Sequence, residues 1–220
     1  MNVINIIGKS GYDKVNMMLY LAKCIREVKN EKIIIATKNP YYIGEFNPWD
    51  YITQISFFNF IEDKELEQLK YAGAAYVFID SENVKLNDTF SELLVNSKNF
   101  IFTNQSKEVI EYNVKILESF KNKSIEIKTI AYRINEFSKI KIKLINELYS
   151  LVDNFTYSYY MNLKDDALLL DNSHNNSLRI RNMSKEYKNF LIELIIDILN
   201  IDSENKKDMR MIKREIGRVK

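Results

Sequence analysis

Residues 3–19 read VINIIGKSGYDKVNMML: an apolar run, a turn carrying Gly8 and Gly11 with lysines at 9 and 14, then an apolar pattern of helical period. A strand that passes through a glycine-bearing turn into a helix is the local form of a phosphate-binding loop, because the N–H groups at a helix start attract anions. Such a loop needs glycines where the backbone folds round the phosphates, a lysine for their outer oxygens, and a hydroxyl for Mg²⁺. Gly8, Gly11 and Lys14 supply part of that set. Val15 stands where the hydroxyl belongs. Asp13 adds a carboxylate where phosphates would approach, at an electrostatic cost unless Lys9 or Lys14 neutralises it. On its residues alone, the segment reads either as such a loop or as the plain strand-to-helix turn of any α/β protein.

Outward from this segment the chain alternates short β-branched or aromatic runs with longer amphipathic ones. Strands are expected at 3–8, 32–37, 75–80, 99–104 and 125–134, with a weaker, tyrosine-rich one at 154–161. Helices are expected at 14–29, 62–72, 87–97, 106–121, 137–151 and 184–200. Continuous apolar strands separated by helices predict a parallel sheet covered on both faces. Right-handed crossovers then make a doubly wound α/β sheet of roughly six to eight strands, with ligands at the carboxyl ends of the strands. One domain over 1–202 and a basic amphipathic tail over 203–220 is the economical division, with 38–61 as an appendage holding both prolines and the only tryptophan.

Composition narrows the classes. At 46% hydrophobic and 28% charged the chain has the balance of a globular protein, and a formal charge of +2 exerts no global pull on nucleic acid. The single cysteine, Cys24, excludes an intrachain disulfide and a cysteine-cluster metal site, and is expected in the core of the first helix. No apolar run reaches the roughly 18–20 residues that span a bilayer, and no secretory signal is read at the amino terminus. A cytoplasmic protein is expected, with peripheral attachment at the inner face of the membrane left open. His174, the only histidine, lies in the polar stretch DNSHNNS and reads as a solvated loop residue. Asp165 and Asp166 ahead of ALLL read as a helix start, and Tyr157, Tyr159 and Tyr160 as packing residues of a strand.

Lys9-Ser10-Gly11-Tyr12-Asp13-Lys14-Val15 resembles, without a gap, the deviant Walker A loop K-G-G-x-G-K-T/S of the MinD/ParA class of P-loop ATPases. The resemblance implies that Lys9 is the signature lysine, which in that family reaches a phosphate across a dimer interface, and that Lys14 is the phosphate-loop lysine. The family's D-x-D-P strand end falls on IIIATKNP, where Thr37 and Asn39 replace both carboxylates and Pro40 is kept. A neutral amide cannot serve as general base. AYVFIDSE matches the Walker B strand and keeps Asp80, while IAYRIN places Tyr132 at the base-reading asparagine of h-h-N-R and keeps Arg133. Gly8, Lys9, Ser10, Gly11, Lys14, Asp80, Tyr132 and Arg133 are thus the candidate, vestigial nucleotide site; no catalytic or metal-ligating residue is assigned. No cofactor is expected, with residual ATP or ADP binding as the alternative.

The tail carries Met209, Ile212, Ile216 and Val219 at spacings of three and four, with Arg210, Lys213, Arg214 and Arg218 around them. One apolar stripe in a cationic helix suits an anionic membrane surface, non-specific DNA contact or an acidic partner. Similar tails end MinD-like proteins. The resulting expectation is a pseudo-ATPase of the MinD/ParA type, in the manner of TadZ and CpaE. It would act as an assembly or positioning factor for a pilus, secretion or conjugation apparatus, through a homodimer or a heterodimer with a related ATPase. The alternatives are a divergent active ATPase in plasmid or chromosome partition, and a DNA- or membrane-binding module using the tail.

Overall fold

The computed structural model describes residues 1–9, 11–38, 55–59, 65, 68–69, 72–82, 94–121, 125–149, 156–174 and 178–219. Seven strands form one sheet: β1 (Asn2–Ile7), β2 (Ile33–Thr37), β3 (Ser56–Asn59), β4 (Tyr76–Ser81), β5 (Lys98–Thr103), β6 (Ile127–Ile134) and β7 (Thr156–Tyr160). Their order is β3-β2-β4-β1-β5-β6-β7, and every pairing is parallel. The helices among the described residues are α1 (Tyr12–Lys29), α2 (Lys107–Phe120), α3 (Ile142–Leu148), α4 (Leu163–His174), α5 (Lys185–Ile198) and α6 (Lys206–Ile216).

Alternation along the strands sorts side chains to two cores. Ile4 and Ile6 of β1, Ile33 and Ile35 of β2 and Phe78 of β4 join α1, α5 and α6 on one face. Ile7, Ile34, Ala36, Val77 and Ile79 join Ile110 and Leu117 of α2 and Ile145 of α3 on the other. Parallel strands covered on both sides need apolar residues at nearly every position, and β2 is buried from end to end. Cys24 is buried within α1 as expected.

Several boundaries differ from the sequence reading. β3 lies inside the stretch taken as an appendage. The helix expected over 137–151 is confined to Ile142–Leu148, and His174 closes α4 rather than lying in a loop. α4 runs that far because Asn172 is drawn inward, its amide donating to the Tyr20 hydroxyl at 2.7 Å and the Arg179 carbonyl at 3.0 Å. The helices expected at 62–72 and 87–97 fall mostly outside the described residues, as do Asn39, Pro40 and the tryptophan.

The tail corrects a larger expectation. Asn205 caps α6 by accepting from the Lys207 and Asp208 N–H groups. Ile212, Ile216 and Val219 are buried in the α1/α5 core, with Met209 packed against its edge. The Val219 carbonyl accepts from the N–H groups of Ile180 and Arg181 at 3.2 and 3.3 Å. The apolar stripe therefore faces the protein interior and not a membrane. Arg210, Lys213, Arg214 and Arg218 remain on the solvent side.

Candidate functional site

β1 and β4 end side by side, since Ile6 pairs with Asp80 and Ile7 with Ser81. On β4, Asp80 follows Phe78 by two residues and so points to the same face, towards α1. Ala36 of β2 pairs with Ile79, which brings Thr37 beside Asp80. Lys14, in the first turn of α1, reaches into this corner. Its ammonium lies 2.7 Å from Asp80 Oδ1 and donates to the carbonyl oxygens of Gly8 at 2.8 Å and Ser81 at 3.4 Å. Three acceptors match the three N–H bonds of an ammonium. Thr37 Oγ1 donates to the second Asp80 oxygen at 2.9 Å. Lys14 and Thr37 are wholly buried and Asp80 nearly so. The charges thus neutralise each other inside the protein, where an ion pair is screened little.

The loop itself is held from below. Gly8 has φ +128°, and a Cβ there would stand 2.8 Å from the Phe102 carbonyl oxygen and 3.0 Å from Asn113 Oδ1. Only glycine fits both constraints. Asn113 is locked in turn, donating to the Phe102 carbonyl at 2.9 Å and the Tyr149 hydroxyl at 3.0 Å. The Gly8 N–H donates to the Ser81 carbonyl at 3.1 Å. Gly11 caps α1 in an extended conformation with open space beside its Cα, so nothing at that position calls for glycine. Ser10 lies outside the described residues. Val15 is in the core.

The remaining charges of the loop go elsewhere. Lys9 forms an ion pair with Glu108 at the start of α2. Asp13 is neutralised by neither Lys9 nor Lys14 but by Arg133, whose Nη1 lies 2.8 Å from its carboxylate. Arg133 Nε lies 3.1 Å from Asp166. Arg133 takes the left-handed φ of 54°, at the irregular step where β6 slips its register with β7. The guanidinium so placed bridges the first turns of α1 and α4. Burial works against its charge, and the two carboxylates outweigh burial and raise its pKa.

Beside this bridge lies a cleft of about 300 Å³, walled by Tyr12, Asn16, Leu169 and Leu170 with Asp13 and Asp166 at its edge. Tyr132 backs it, but the ring is 1% exposed and packs among Phe102, Tyr159, Tyr187 and Phe190. Its hydroxyl donates to that of Tyr187 at 3.3 Å, and burial raises its pKa. The stacking role for Tyr132 meets this packing directly: both faces are occupied by protein.

The structure therefore gathers Gly8, Lys14 and Asp80 in one corner, sets Arg133 beside the loop through Asp13, turns Lys9 towards α2 and withdraws Tyr132 into the core. Thr37 and Asp166 were missed. Thr37 counts in the sequence as a lost carboxylate, yet its hydroxyl holds Asp80, and Asp166 counts only as a helix-start signal. Strand alternation could have put Thr37 on the α1 side; the partner across the sheet needed the register. Among the described residues no group of three potential metal ligands occurs, and no helix is long and apolar enough to cross a membrane.

No family model and no curated protein matches the chain by sequence. Solved structures do match its shape. MinD from Aquifex aeolicus superposes with a TM-score of 0.62 at 13% identity, covering 92% of this chain and 98% of that one. A ParA family ATPase from Chlorobium tepidum TLS gives 0.54 at 11% identity over 98% and 97%. The septum site-determining protein MinD from Pyrococcus horikoshii OT3, complexed with Mg-ADP, gives 0.51 at 12% identity over 98% and 94%.

Proposed function

We propose that this chain, which has the P-loop fold of MinD and ParA ATPases, is a non-hydrolysing member of that class that works as an assembly or positioning factor. The observation that carries the reading is the buried Lys14–Asp80 pair. A Mg²⁺–nucleotide needs the ammonium for phosphate oxygens and the carboxylate for the metal shell. Here each satisfies the other, Thr37 completes the carboxylate, and Val15 puts a methyl-bearing side chain in the core where a hydroxyl would face the metal. On this reading the residues present do not fit a Mg²⁺–nucleotide. Arg133 is shared between Asp13 and Asp166, so this bridge leaves one net negative charge beside the loop.

In this reading the loop face, which carries Lys9 and the exposed ring of Tyr12, is a contact surface for a second copy or a related ATPase. The cationic side of α6 offers Arg210, Lys213, Arg214 and Arg218 to an acidic protein partner of the apparatus. The test is Mg²⁺-ATP turnover by the purified chain together with nucleotide binding by titration calorimetry. No turnover above the chain-free rate is expected. Turnover that follows the elution profile of the chain would overturn the reading. Light scattering that showed a strict monomer, alone and with partners, would remove its dimer component.

A further inference from the structure

The outer side of α2 carries a feature unrelated to the loop. A groove of about 810 Å³ runs between α2 and the segment leading into α3, floored by Ile110, Val114, Ile140 and Leu144. Leu144 is 43% exposed, and Ile140 and Val114 are half-buried. Along its rim α2 sets Lys107, Glu111, Lys115 and Glu118, all exposed and spaced by four and three, so they form one stripe.

The order of those charges is informative. Read from one end the stripe is positive, negative, positive, negative. Read from the other it is negative, positive, negative, positive. A second α2 laid antiparallel, with a two-fold axis crossing between residues 112 and 113, sets Lys107 level with Glu118 of the second copy. It also brings Glu111 within one residue of the second copy's Lys115. Ile110 and Val114 then meet the second copy's Val114 and Ile110 along the apolar floor. Each charge of the stripe then meets one opposite charge, and each pairing occurs twice by symmetry, as an isologous contact requires. A parallel arrangement in register would set like charges together. The internal Lys107–Glu111 pair, at 3.6 Å and largely exposed, holds too weakly to oppose re-pairing.

We infer that the α2/α3 groove is a homodimer interface, in which a second copy of this chain docks through an antiparallel, two-fold pairing of α2. The inference is independent of the nucleotide-site reading, since it uses a different face and none of the loop residues.

The experiment is charge reversal on the full chain, read by sedimentation over a concentration series. Glu111→Lys places a lysine against Lys115 of the second copy at two symmetric points, and Lys115→Glu does the same with carboxylates. Each single reversal is expected to weaken dimerisation by roughly tenfold or more. The double variant Glu111→Lys/Lys115→Glu restores opposite charges and is expected to recover the wild-type dissociation constant. Both positions are exposed, and unchanged thermal unfolding of the singles would show that folding is intact. A wild-type chain that stays monomeric at all concentrations overturns the proposal, as does a double variant no better than the singles. A dimer indifferent to both reversals but weakened by Lys9→Ala also overturns it, and leaves the loop-face reading of the previous subsection standing.

Discussion

Lys14 sits 2.7 Å from Asp80 with no exposed surface on its side chain, so among the described residues Asp80 is its counterion. Removing one partner of such a pair leaves the other buried and uncompensated, which costs about 3–5 kcal/mol. Lys14→Ala is expected to lower stability by that amount in urea denaturation. Lys14→Met combined with Asp80→Leu removes both charges and is expected to cost less than either single change; strictly additive losses would show that the two are not coupled. At this scale the sequence was half legible. The spacing of Lys9 and Lys14 and the strand-end position of Asp80 are visible in the chain. That Lys14 meets Asp80 while Lys9 meets Glu108 is not, because each contact spans elements joined only by the sheet. Gly8 and Gly11 look equivalent in sequence; the positive φ of Gly8 and the Phe102 carbonyl and Asn113 side chain beneath it separate them.

Among the elements, α5 is fastened to the sheet by one carboxylate. Asp197 accepts from the Tyr157 hydroxyl at 2.7 Å and from Lys128 at 3.0 Å, and Lys98 lies 3.2 Å away. These groups stand near the starts of β7, β6 and β5, so Asp197 ties the helix end to three strands. Burial would raise its pKa, but the hydroxyl and the two lysines prevail and hold it below the usual carboxylate range. A depressed folded-state pKa contributes stability above the unfolded value of about 3.9, and that contribution is lost as pH falls through the folded value. Unfolding free energy is therefore expected to drop below about pH 4, with a shallower drop in Asp197→Asn, as acid titration at fixed urea would measure. An equal slope in the variant would assign the acid sensitivity to other carboxylates. The strands with long β-branched runs were legible from their patterns. β3 was not: four residues are too few to display a period, and its one neighbour, β2, supplies the ladder that makes it a strand.

At the scale of the molecule, the tail shows how one pattern can serve two solvents. Apolar residues at spacings of three and four with cations between them describe a helix on a membrane and a helix on a core alike. The contacts of Ile212 and Ile216 with the α1/α5 core decide for the core. Ile212→Ala is expected to lower stability by about 2–4 kcal/mol through the cavity it leaves. A membrane-facing stripe would instead leave thermal unfolding unchanged and weaken sedimentation with anionic vesicles. The alternation of apolar strands with helices by itself determined a parallel, doubly wound sheet, because hydrophobic period is a local property that each segment carries alone. The loop's lysine spacing likewise marked the class of fold whose solved examples this chain matches. What the tertiary structure decided was the use of those residues. Strand register set Thr37 and Ser81 around Asp80, the step in β6 swung Arg133 to Asp13, and core packing claimed Tyr132 and the tail. Those outcomes depend on which elements are neighbours, and that is fixed by packing the whole chain at once.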